Sequence, residues 1–77
     1  MALLPFRSSS SKRFDRLILP YMKGMYIFAY RLTGQKQDAE DLVQDAVERG
    51  LRSDRRPELL EELRPWMFRV IRNLHYD

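Results

Sequence analysis

The chain has 77 residues, of which 44% are hydrophobic and 32% are charged, so its size and composition are those of one small globular domain. It contains no cysteine and one histidine, which excludes disulfides, thiolate zinc sites and multi-histidine metal sites. The net charge of +3 combines a basic segment, residues 1–37 with seven basic and one acidic side chain, and an acidic segment, residues 38–62 with nine acidic and four basic side chains. These two segments are suited to partners of opposite charge, although solvated helix faces would have the same composition.

The first 13 residues predict a flexible leader that is basic and rich in serine. Residues 14–77 predict one domain, which begins with a helix near 14–33. Its apolar side chains recur at helical spacing, and Pro20 is expected to interrupt it. Thr33 and Gly34 predict its C-terminal end, because glycine adopts the left-handed conformation that often ends a helix.

A second helix is predicted near 38–52, with Asp38 as its N-cap. A loop at residues 52–57 follows, and a third helix near 65–76 is predicted to carry Pro65 in its first turn. Strand alternation is absent, so the sequence predicts an all-α bundle of three to four helices. The apolar stripes of the helices predict the core: Leu17, Ile18, Met25, Ala29, Leu32, Leu42, Val43, Ala46, Val47, Trp66, Val70 and Ile71.

Two surface features indicate binding. Acidic and amide side chains follow the exposed face of the second helix, where they could pair with basic side chains of a partner helix: Asp41, Gln44, Asp45 and Glu48. Arginines and an amide occupy the loop and one strip of the third helix, where they could contact nucleic-acid phosphates and a base edge: Arg52, Arg55, Arg56, Arg69 and Asn73. On charge alone, solvated surface is the more common explanation of both sets.

Two segments resemble the extracytoplasmic-function sigma factors, a group of bacterial transcription initiation factors. Residues 38–45 (DAEDLVQD) resemble the family's AEDLVQE signature, and residues 65–73 (PWMFRVIRN) resemble its W-L-x-x-I-x-x-N helix. Residues 14–34 are similar to the family's opening helices. The resemblance covers residues 14–77 and implies domain 2 of such a factor.

In that family, domain 2 docks on the clamp helices of the RNA polymerase β′ subunit and captures the −10 promoter element as a single strand. The resemblance therefore implies polymerase binding for the acidic set and DNA binding for the arginines and Asn73. It also implies an anti-sigma factor as a further partner. Family members usually continue into a domain that reads the −35 element, so we expect the chain to be a fragment.

Nothing in the sequence predicts catalysis, a cofactor or a small-molecule substrate, because the carboxylates follow one helix and the glycines are isolated. No apolar run approaches the roughly 20 residues of a membrane span, so we expect a cytoplasmic protein with no membrane partner. Two other functions remain open. One is a sigma-like decoy that occupies an anti-sigma factor without binding DNA, and the other is a generic helical protein-interaction module.

Overall fold

The computed structural model describes residues 9–57 and 59–76, in which all regular structure is helical. There are four α-helices: α1 (Ser9–Ile18), α2 (Met22–Thr33), α3 (Lys36–Arg52) and α4 (Leu60–Tyr76). α2 packs against both α3 and α4, which also pack against each other, while α1 lies against α4. The predicted all-α bundle is confirmed. Within the described ranges, no helix combines the length and the apolar composition of a membrane span.

The first helix begins at Ser9, five residues before the predicted start at 14, so residues 9–13 of the predicted leader are helical. Residues 1–8 lie outside the described residues. The predicted interruption at Pro20 is confirmed, since Leu19–Tyr21 form a 3-10 turn between α1 and α2. Proline has no backbone N–H to donate to the preceding turn, and this separates the two helices.

The turn between α2 and α3 depends on Gly34. Gly34 has φ 75°, in the left-handed region, and its N–H donates to the Tyr30 carbonyl at 2.8 Å. The predicted stop is thus confirmed. α3 then begins at Lys36, with Gln35 as N-cap, so the prediction that Asp38 caps this helix is wrong. Asp38 instead lies in the first turn, where the helix dipole favours its charge.

α4 begins at Leu60, and Pro65 lies inside the helix rather than in its first turn, which corrects the predicted start at 65. The cost of this proline is small, because only the Glu61 carbonyl loses its helical donor and both residues are exposed to water. The added turn brings Leu63 into the core with 1% of its surface exposed. Burial of a leucine outweighs one solvated carbonyl.

The core contains seven of the predicted residues in fully buried positions: Ile18, Met25, Ala29, Val43, Ala46, Val47 and Ile71. The other predicted members are partly buried and pack against it: Leu17, Leu32, Leu42, Trp66 and Val70. Four further hydrophobic residues of the core were not in the predicted set: Phe14, Ala39, Leu63 and Met67. α1 thereby contributes an aromatic side chain to the centre of the bundle.

Asp15 is a buried carboxylate whose two oxygens have no hydrogen-bond partner among the described residues. Burial raises the pKa of Asp15, because removal from water disfavours the charged form. The folded state therefore holds this proton more tightly than the unfolded state does. The contribution of Asp15 is unfavourable above its raised pKa and is relieved as the pH falls through that pKa towards the ordinary value of 3.8.

We expect Asp15→Asn to raise the free energy of unfolding at neutral pH by about 1 kcal/mol, since it removes an uncompensated buried charge. Urea unfolding of both proteins between acid and neutral pH tests this. The difference between them should shrink as the pH falls. A difference that is constant with pH would contradict a charged, buried Asp15.

Candidate functional site

The exposed face of α3 carries the acidic set. Val43, Val47 and Gly50 face the core, and Asp41, Asp45 and Glu48 lie on the opposite side of the same helix. Gln44 is also exposed, beside this row. The four side chains predicted to bind polymerase therefore all reach solvent from one rigid element.

The same face becomes basic at the C-terminal end of α3. Arg49 Nε donates to Asp45 Oδ1 at 3.4 Å, and Arg52 Nη2 lies 3.8 Å from Glu48 Oε1. These pairs are four residues apart and exposed, so each contributes only about 0.3–0.5 kcal/mol. A partner could replace them at little cost. One helix thus presents acids towards its start and arginines at its end.

An open cavity of about 520 Å³ lies where the end of α3 faces α4. Its lining combines charged, polar and apolar side chains: Asp45, Arg49, Arg52, Ser53, Trp66 and Val70. Trp66, predicted as core, is half-buried and faces this cavity with part of its ring. An aromatic surface beside two guanidinium groups is suited to a stacked base and its phosphates.

Arg69 and Asn73 are exposed on α4, one and two turns after Trp66. Helical spacing places both on the side of α4 that borders the cavity, although neither lines it. Asn73 offers a donor and an acceptor to an approaching base edge. This strip therefore lies beside the cavity and continues along the axis of α4.

The loop between α3 and α4 holds its arginines in different ways. Arg55 is exposed, and its backbone N–H donates to Ser53 Oγ at 3.1 Å. Arg56 is half-buried and directed into the protein: its Nη1 donates to the carbonyls of Gly50 at 3.0 Å and Leu51 at 3.1 Å. The structure thus distinguishes two neighbouring arginines that are equivalent in the sequence.

Sequence reasoning missed Arg49 and Ser53, both of which line the cavity. Arg49 stands three residues before Arg52, and this helical spacing could have placed the two arginines together. In the ranges 9–57 and 59–76, no group of three or more acidic or histidine side chains is arranged to hold a metal ion.

The described residues form a small helical domain with an acidic row on α3 and arginines at the end of that helix. The sigma-70 region 2 family model matches residues 17–77. The chain belongs to this family, whose members are non-catalytic transcription initiation factors that act with core RNA polymerase on promoter DNA. Separate comparisons with curated proteins and with solved structures gave no match.

Proposed function

We propose that the chain is domain 2 of an extracytoplasmic-function sigma factor, which docks on the β′ clamp helices and holds the −10 element as a single strand. The observation that carries this proposal is the arrangement of α3. Its acidic face and its arginine end belong to one helix, and the arginine end opens onto the cavity beside Trp66. Polymerase and DNA would therefore bind adjoining surfaces.

The proposed polymerase surface consists of Asp41, Gln44, Asp45 and Glu48. Its negative charge complements a basic partner helix, which raises the rate of association and fixes the register of docking. Burial of the opposite face of α3 in the core holds the row rigid. The exposed local ion pairs are weak and can exchange for pairs with the partner. An anti-sigma factor could inhibit the domain by covering the same row.

The proposed DNA surface consists of the cavity, the exposed Arg55 and the α4 strip. Arg52, Arg55 and Arg69 would contact phosphates, and Asn73 would read a base edge. A base must leave its stack to be read on that edge, at a cost of a few kcal/mol. Contact with the Trp66 ring and neutralised phosphates would offset this cost.

We expect Asn73→Ala to reduce the preference for particular −10 sequences by at least about fivefold, because an amide that reads a base supplies roughly 1–3 kcal/mol of discrimination. The measurement is the affinity of labelled single strands of randomised sequence at low salt. It is made with the chain alone and with the chain bound to core polymerase. Arg55→Ala is the matched control. It should lower the affinity for all strands alike. It should also reduce the salt dependence of binding by the amount expected for about one phosphate contact.

An unchanged sequence preference of Asn73→Ala in both assays would mean that the base is read elsewhere. Failure of the chain to bind core polymerase would instead favour the decoy or the generic interaction module.

A further inference from the structure

The Arg56 side chain connects three parts of the bundle. Its guanidinium donates to two carbonyls at the end of α3, and its Cζ lies 4.7 Å from the centroid of the Phe14 ring in α1. Phe14 is itself buried, with 2% of its surface exposed. Arg56 therefore covers the edge of the core where α1 meets the end of α3.

The contact beneath Arg56 is close. A Cβ atom on Gly50 would lie 2.7 Å from Phe14 Cζ and 3.0 Å from Met67 Sδ, so the Phe14 ring and α4 both approach the α3 backbone at Gly50. The last carbonyls of a helix have no helical donor and need another partner. Arg56 supplies that partner for Gly50 and Leu51, with a charge that the negative end of the helix dipole favours.

The loop at residues 53–57 makes few other hydrogen bonds among the described residues. In the described ranges, residues 53–57 make no backbone–backbone hydrogen bond, and the Arg55 N–H donates only to the nearby Ser53 hydroxyl. The hydrogen bonds that tie the loop back to the end of α3 are thus those of Arg56. Arg56 lies next to Arg55 in the chain, so its anchoring determines where Arg55 can reach.

We propose that Arg56 and Phe14 form a buttress that positions the 53–57 loop for the nucleic-acid strand, and that Arg56 does not contact phosphate. This inference rests on the proposed DNA surface and revises the role predicted for Arg56. The proposal also gives α1 a role through Phe14. This residue lies before residue 17, where the match to the family model begins. Arg56 is a positioning residue in this account, and Arg55 is the phosphate contact.

Charge-conserving variants separate the two roles. Arg56→Lys keeps a positive charge that a phosphate would still attract, but it loses the planar guanidinium that lies over the ring. We expect Arg56→Lys and Arg56→Ala to lower the affinity of the folded population for its preferred strand by about threefold to tenfold, the effect of losing one or two hydrogen bonds. Arg31→Lys, the matched control at an exposed arginine of α2 outside the proposed DNA surface, should leave the affinity unchanged.

The salt dependence of oligothymidine binding is the second measurement. Arg55→Ala should lower the slope of log affinity against log salt by about 0.7, the value of one single-strand phosphate contact. Because Arg56 acts through Arg55, the double variant Arg55→Ala/Arg56→Ala should have the same slope as Arg55→Ala, whereas a second phosphate contact at Arg56 would lower it by about 0.7 more. Phe14→Leu should reproduce the loss of affinity, and the double variant Phe14→Leu/Arg56→Ala should be no weaker than the weaker single variant, because both changes remove one buttress. A further fall in slope in the Arg55/Arg56 double variant, or additive losses in the Phe14/Arg56 double variant, would overturn the proposal.

A third measurement needs no DNA. Backbone amide chemical shifts of Ser53 and Asp54, which adjoin neither Arg56 nor Phe14 in the chain, should change in both Arg56→Lys and Phe14→Leu. They should stay unchanged in Arg31→Lys, a control at an exposed arginine of α2. If the unmodified chain binds no strand, the proposed function fails while these shifts still decide whether the buttress positions the loop. A lower melting temperature with unchanged loop shifts and unchanged affinity would assign Arg56 to stability alone, against the proposal.

Discussion

Gly50→Ala is expected to lower the free energy of unfolding by about 2 kcal/mol, although alanine forms helix better than glycine by about 1 kcal/mol. The new methyl group would meet the Phe14 ring at 2.7 Å and Met67 Sδ at 3.0 Å. The methionine side chain can move, but the buried ring cannot do so without displacing α1 from α3. Thermal unfolding should show a melting temperature lower by roughly 10 °C for a domain of this size.

Gly24→Ala is the matched control within the same bundle. Gly24 is exposed in α2, and a Cβ there would meet Phe68 Cζ at 3.6 Å, an ordinary contact. We expect this variant to gain roughly 0.5–1 kcal/mol from helix propensity. The two glycine-to-alanine changes should therefore have opposite signs. A Gly50→Ala protein as stable as Gly24→Ala would show that α1 is not packed against α3 at this point.

Replacing both Asp41 and Asp45 by lysine is expected to reduce binding to core polymerase at least about 100-fold, since two attractive charges become repulsive at a docking surface. Both side chains are exposed, and their local partners Gln37 and Arg49 are exposed too. Helicity should therefore be unchanged by circular dichroism. Affinity for core polymerase, measured by fluorescence anisotropy at several salt concentrations, should also fall with salt for the unmodified chain.

A double variant of equal charge change provides the control. Glu40→Lys/Glu61→Lys alters two exposed acids that do not belong to the row formed by Asp41, Asp45 and Glu48. It should keep most of the affinity, because the effect depends on position rather than on net charge. Equal losses of affinity in the two double variants would show that binding depends only on overall charge. A folded Asp41/Asp45 variant with full affinity would exclude this face of α3 as the polymerase-binding surface.

Hydrophobic periodicity predicted the central elements well, because α2 and α3 each bury one continuous stripe and Gly34 permits the turn between them. It failed at the starts of α1 and α4. A serine tract and an internal proline are unfavourable signals for a helix, yet α1 begins within the serine tract, and burial of Leu63 stabilises the extra turn of α4. Such tertiary contacts are absent from local propensity.

The acidic row could be placed from spacing alone, since any side chain opposite a buried stripe is exposed. The roles of the loop arginines could not be predicted from spacing, because Arg55 and Arg56 are adjacent and chemically identical. Only the position of the α3 carbonyls and the Phe14 ring determines that Arg56 points inward. Spacing likewise could not predict the position of Trp66, whose half-buried ring packs against the core and also lines the cavity.

Because α3 is one unbroken helix, it fixes the distance and the angle between its acidic row and its arginine end. Asp41 and Arg52 are separated by three turns of one rigid helix, roughly 16 Å at the usual rise per residue. Each added residue in this span would turn the arginine end by about 100° relative to the acidic row. A single alanine inserted after Glu48 would therefore direct the two charged ends to different sides, whereas a four-residue insertion would nearly restore their alignment while lengthening the span. The distance and angle between two partners held by this domain are thus encoded in the residue count of one helix.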